Sequence, residues 1–189
     1  MSPVQALGAK EGDRCLDLCA APGGKSMQIA TAIKDKGILV TNDINETRVK
    51  AILRNVEKFG LRNVIVLDDS PQKIAKIMGH RFDCILVDAP CSGEGMFRKD
   101  PKAVKSWETY GPEQCSILQS EITSSLVDLI AHETNIVYST CTFSHIENED
   151  QIDHLINAYD CFQPRALFLN GIEPIGIEKP HRSEERRVG

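Results

Sequence analysis

At 189 residues, with 41% hydrophobic and 26% charged side chains, the chain has the composition of a single globular α/β domain. A formal net charge of −5 argues against a protein that grips nucleic acid by bulk charge alone. No run approaches the ~20 uninterrupted apolar residues of a membrane span, and Met1-Ser2-Pro3-Val4-Gln5 lacks the features of a secretory signal, so a cytoplasmic protein with no membrane partner is expected.

In chain order, a short apolar run at 14–18 is followed by helical spacing over Gly24–Ile33, a second run at 37–42, helical spacing over Glu46–Phe59 and a third run at 63–67. Helical spacing over Pro71–Met78, a run over Phe82–Asp88, helical spacing over 112–131 with Pro112 near its first turn, and a run at 135–139 complete the series. The five runs read as parallel strands buried on both faces. Their alternation with helices predicts right-handed βαβ crossovers and a doubly wound, mostly parallel sheet that binds ligand at its strands' carboxyl ends. Residues 89–111, rich in Gly, Pro and charge, are expected to form a long functional loop. Within it, Arg98 and Lys99, with Lys102 and Lys105, make a local basic cluster that suits either a solvated face or a polyanion.

Seven cysteines without CxxC spacing argue against a disulfide framework and against a zinc cage, so no metal is expected. Cys15, Cys84, Cys115 and Cys161 sit in or beside apolar runs and read as small core fillers. Cys19, Cys91 and Cys141 instead close strand-to-loop junctions.

The first strand runs into Cys19, Ala20, Ala21, Pro22, Gly23, Gly24 and Lys25, a turn of small residues that opens a helix. The glycines allow close backbone approach, and the helix start offers free N–H groups to an anionic or carboxylate-bearing ligand. The loop is neither GxxxxGK[ST] nor GxGxxG, so nucleoside triphosphates and dinucleotides lose ground. Asp43, ending the second run roughly 20 residues on, is placed to accept from ribose hydroxyls. Asp68 and Asp69, ending the third run, suit either an adenine amino group or simple loop capping.

The fourth run ends in Asp88-Ala89-Pro90-Cys91 and the fifth in Ser139-Thr140-Cys141, so adjacent fourth and fifth strands would bring both thiols to one pocket. A thiolate adding to C6 of a cytosine activates the otherwise poorly nucleophilic C5, and loss of the C5 proton lets the thiol leave. Asp88 is placed to hydrogen-bond the N3 or amino edge of such a base, and Lys25 would provide an electropositive setting for a thiolate. Amine methylation typically uses an Asn/Asp-Pro-Pro-Tyr turn where Asp88-Ala89-Pro90-Cys91 stands. A base treated this way must leave its stack, which favours single-stranded or flippable RNA.

The strings Cys19-Ala-Ala-Pro-Gly-Gly-Lys25, Asn42-Asp43, Asp88-Ala-Pro-Cys-Ser-Gly93 with Glu94-Gly-Met-Phe-Arg-Lys-Asp-Pro101, and Ser139-Thr-Cys-Thr142 with Glu147-Asn-Glu149 together resemble the Sun family of RNA 5-methylcytosine methyltransferases, nearest to its bacterial small-subunit ribosomal RNA branch. The resemblance implies a class I, Rossmann-like methyltransferase acting as a monomer on RNA, 16S ribosomal RNA foremost, with S-adenosylmethionine as cofactor. It implies Cys141 as nucleophile, Cys91 in product release, and Cys19 to Lys25 lining the cofactor site with Asp43 on the ribose, Arg48 nearby and Asp88 near both methyl donor and base. The family's third cofactor-contacting acid aligns with Ser70 rather than with Asp68 or Asp69. Transfer RNA as target, and a binding module without chemistry, are the rival expectations. A catalytic domain over 1–181 truncated at both ends, lacking its last strand, is also expected, with the polar tail 182–189, which resembles a translated sequencing adapter, as non-native.

Overall fold

The structure is a computed structural model that describes residues 3–165. In order, the elements are α1 (Pro3–Leu7), β1 (Arg14–Asp17), α2 (Gly24–Ile33), β2 (Ile38–Asn42), α3 (Glu46–Phe59), β3 (Val64–Leu67), α4 (Pro71–Met78), β4 (Phe82–Asp88), α5 (Pro101–Ser124), β5 (Ile130–Ser139) and α6 (Glu149–Ala158). The five strands form one sheet in the order β3-β2-β1-β4-β5, every neighbouring pair parallel. The order reverses between β1 and β4, which puts a crevice at their carboxyl ends.

Alternation along the strands feeds two separate apolar layers. Cys15, Leu39, Cys84 and Leu86 pack with Val4 and Leu7 of α1 and Ile29, Ala30 and Ile33 of α2. Leu16, Val40, Ile85 and Val87 point the other way, toward Ile74 and Ala75 of α4, Ile122 of α5 and Leu155 of α6. The doubly wound, parallel architecture therefore follows from strands that are apolar on both faces.

Four local expectations are corrected. Residues 89–111 are not one irregular loop, because Asp100 caps a helix that starts at Pro101, its carboxylate accepting from Lys102 N at 2.9 Å. Gly111, at φ 59°, breaks that helix and Pro112 restarts it. The helix expected over 112–131 stops at Ser124, where the hydroxyls of Ser124 and Ser125 donate to the carbonyls of Ser120 and Ile122. β5 then begins at Ile130, and the register shift between Phe82 and Cys84 is bridged by Thr134, whose hydroxyl donates to Phe82 O at 2.7 Å. Among the supposed core fillers, Cys115 is half-buried and Cys161 exposed, whereas Cys15 and Cys84 are fully buried. Helices α1 and α6 lie outside the helical spacings read from the sequence. The expected tail at 182–189 lies outside the described residues, as does most of the sequence that would carry a last strand.

Candidate active site

The crevice at the switch point holds a cleft of about 330 Å³ lined by Asp17, Cys19, Ala20, Ala21, Gly24, Lys25 and Asp88, among others. Two larger hollows, of about 570 and 650 Å³, lie elsewhere and touch neither Cys91 nor Cys141. Gly23 caps α2 in the left-handed region, at φ 100°, a conformation that favours glycine, and an added Cβ on Gly24 would meet nothing within 4 Å. The first turn of α2 thus faces open space with no side-chain cap.

Side chains from β2 and α3 fasten this loop. Asp43, almost fully buried, accepts from Ala21 N through Oδ2 at 3.2 Å and from Asn45 N through Oδ1 at 3.1 Å. Arg48 reaches both Asp43 Oδ2, at 3.3 Å, and the Ala21 carbonyl, at 3.2 Å. Asn55 donates to the Pro22 carbonyl at 2.8 Å. Asn42 ties three strand ends together, donating to Leu18 O and Asp69 O and accepting from Asp69 N. Beyond β3, Ser70 caps α4 by accepting from Lys73 N, Asp69 pairs with the Lys73 ammonium, and Asp68 is exposed. Capping therefore occupies Ser70.

Sequence reasoning gives Asp17 no role, because an acid inside an apolar run is not distinctive here: Asp83 stands inside another. Asp17 is fully buried; Oδ2 accepts from Ser26 Oγ at 2.6 Å, while Oδ1 has no partner. Burial raises its pKa to about 7. Cys19 lines the same cleft, and burial pushes its thiol up to about 12, which keeps it protonated.

At the neighbouring strand ends, Asp88 is held on both oxygens: Ser139 Oγ donates to Oδ1 at 2.7 Å and Lys25 Nζ lies 2.6 Å from Oδ2. Past these residues, Cys91 Sγ and Cys141 Sγ lie 3.2 Å apart, and Cys141 N donates to Cys91 Sγ. The pair is asymmetric: Cys141 is exposed, Cys91 half-buried. A hydrogen bond from Cys91 lowers Cys141 to about 7, against burial and the Asp88 charge, with Lys25 a minor favourable contributor. Hydrogen bonding to Cys141, then burial, drives Cys91 upward. Lys25, expected to electrify the thiolate, spends its charge mainly on Asp88. Below the pair lies Glu147, fully buried and bonded to Ser92. Sequence reasoning gave Ser139 and Glu147 no role, since nothing in a lone Ser or Glu shows what it will face.

Among the described residues there is no group of three or more His, Cys, Asp and Glu that could hold a metal, and no helix long and apolar enough to cross a membrane. A profile of the family described as 16S rRNA methyltransferase RsmB/F matches residues 4–181. The chain is 39% identical over 163 residues to the 26S rRNA (cytosine-C(5))-methyltransferase nsun-1 of Caenorhabditis elegans, covering 84% of this chain and 24% of that protein. It is 38% identical over 161 residues to ribosomal RNA small subunit methyltransferase F of Vibrio cholerae, covering 84% of this chain and 34% of that one. The fold matches the crystal structure of NSun6 from Pyrococcus horikoshii with SFG at a TM-score of 0.71 and 29% identity, over 82% of this chain and 40% of that one. The chain thus spans about a quarter to a third of the length of these two curated relatives.

Proposed function

Since the chain belongs to the 16S rRNA methyltransferase RsmB/F family, we propose that it methylates carbon 5 of a cytosine in ribosomal RNA, 16S RNA foremost, using S-adenosylmethionine and a covalent bond from Cys141 to C6. The carrying observation is the 3.2 Å thiol pair, one member exposed and acidified, beside Asp88 at the mouth of the cleft.

The residues suit the cofactor. The uncapped start of α2 would take its carboxylate, the unpartnered Asp17 Oδ1 its ammonium, and Asp43 the ribose hydroxyls through lone pairs that Ala21 and Asn45 leave unused. Arg48 fixes Asp43 and the loop, and Cys19 to Gly24 form the wall. When bound, S-adenosylmethionine supplies an electrophilic methyl group.

The Cys141 thiolate adds to C6, and the displaced ring electrons make C5 nucleophilic toward that methyl. Asp88, oriented by Ser139 and Lys25, accepts a hydrogen bond from the exocyclic amino group of the base and so holds the ring in place for attack at C6. After transfer, C5 gives its proton to solvent, the C–H electron pair re-forms the ring double bond, and the C6–S bond breaks with its electrons returning to Cys141. Cys91 assists that release from 3.2 Å away. A cytoplasmic monomer with RNA as its partner is the corresponding setting.

Incubation with methyl-labelled S-adenosylmethionine and unmodified 16S RNA, followed by nucleoside analysis, tests the reading. Label in 5-methylcytidine is expected; label only when transfer RNA is offered would move the substrate, and no label on any RNA would remove the activity. Cys91→Ala is expected to retain RNA as a band resistant to denaturation, and Cys141→Ala to give neither band nor label. Methylation by Cys141→Ala would reverse the cysteine roles.

A further inference from the structure

We propose that Glu147 is a positioning residue: its buried carboxylate holds the chain after Cys91 directly and before it through Gln119, and the Ser92 it binds packs against the Cys141 loop, so that the distance between the two thiols is set by Glu147. Glu147 is 0% exposed. Its Oε2 accepts from Ser92 N at 2.8 Å and from Gln119 Nε2 at 3.1 Å, and its Oε1 accepts from Ser92 Oγ at 2.5 Å. The same Gln119 Nε2 donates to Pro90 O at 2.8 Å. Pro90 and Ser92 flank Cys91, so the carboxylate holds the backbone after that thiol directly and the backbone before it through Gln119.

The second loop is tied to the first. Ser92 Oγ packs 3.0 Å from Thr142 Oγ1, each hydroxyl giving its one proton to a carboxylate, Ser92 to Glu147 and Thr142 to Glu94, and Thr142 follows Cys141. Thr142 Oγ1 and Phe143 N both donate to Glu94 Oε2, and Gly95 N donates to the Cys141 carbonyl at 2.8 Å. Behind them, Tyr138 Oη donates to the Glu147 carbonyl at 2.8 Å, one residue before the Ser139 that orients Asp88.

Energetics separate this arrangement from ordinary filling. Among the described residues no cation pairs with Glu147. A buried carboxylate held only by neutral donors carries a desolvation cost that an apolar side chain of similar volume would not. Gln119 adds to that cost, because turning its amide toward two acceptors leaves Oε1 buried without a partner. What these groups supply in return is direction, since charge-assisted hydrogen bonds are short and orienting.

The test reads the thiol pair directly, and only its second arm rests on the activity proposed above. Glu147→Gln places an amide among three donors, and Ser92→Ala removes one bond while leaving the backbone intact. The pH profile of iodoacetamide labelling at Cys141, read by mass spectrometry, has an expected midpoint near 7 in the wild type. In both variants it should move toward that of an unperturbed thiol, about 8.5, as Cys91 drifts away. With RNA, both should accumulate covalent adduct as Cys91→Ala does. A wild-type labelling midpoint in either folded variant overturns the proposal. Should Glu147→Gln fail to fold, Ser92→Ala decides alone. A shifted profile in a protein that methylates no RNA would leave the positioning role standing and remove the activity.

Discussion

Lys25 Nζ lies 2.6 Å from Asp88 Oδ2 across 63 residues of sequence, joining the first turn of α2 to the carboxyl end of β4. The loop that would hold the methyl donor and the carboxylate that would hold the base are therefore one mechanical unit. Lys25→Met should loosen both. It is expected to lower turnover by roughly 10²–10³, the order seen when an electrostatic partner at a reacting centre is lost. Cofactor affinity, read by calorimetry, should fall far less. An equal fall in both would make Lys25 a simple cofactor ligand.

The thiol asymmetry predicts a pH profile. Cys141 is lowered to about 7, chiefly by its hydrogen bond from Cys91. The single-turnover rate of adduct formation should rise with pH through about 7 and level off as the thiolate fraction saturates. Cys91→Ala should shift the midpoint upward toward about 8.5. An unmoved midpoint would locate the acidifying influence elsewhere.

Asp17 predicts a stability profile of opposite sense to most carboxylates. Its folded pKa is raised from 3.8 to about 7 by burial, so the folded state binds the proton more tightly than the unfolded one. Its contribution is complete below about 3.8 and is lost as pH rises through about 7. Asp17→Asn removes this proton. Relative to the wild type its Tm should rise between pH 5 and pH 8, by an amount worth a few kcal/mol at roughly 1.4 kcal/mol per pKa unit. Parallel Tm curves would mean that Asp17 does not titrate there.

Gly95 predicts a steric effect. A Cβ at this position would stand 2.7 Å from the Cys141 carbonyl oxygen, which is backbone and cannot rotate aside. Gly95→Ala should cost about 1–3 kcal/mol of stability and displace the Cys141 turn. Adduct yield should then fall well beyond the loss of folded protein measured in the same sample. Yield that tracks folded fraction would show the turn relaxing without consequence.

Period and punctuation carried much of this molecule. Runs of two-faced apolar residues mark all five strands, and Gly-Gly, Asp43, Cys91 and Cys141 at strand ends mark the candidate site, because a doubly wound sheet sends every such end to one edge. Failures fell where local chemistry competes with period. Asp100 and Pro101 start a helix inside a stretch whose composition reads as loop. Ser124 and Ser125 end another through their own hydroxyls. Thr134 stands in for a ladder bond and lengthens β5 across a bulge. Asp17 and Glu147 escaped for another reason: their significance lies in having, or lacking, partners that only the three-dimensional arrangement supplies.

The thiol pair is separated by 50 residues and by the whole of α5 and β5. During synthesis, at about 5–20 residues per second, the first cysteine emerges seconds before the second exists. Over that interval the nascent chain carries the cofactor loop, Asp88 and one thiol, but nothing to acidify and no strand to align beside β4. The close thiol pair therefore cannot form before β5 has been made and has paired with β4.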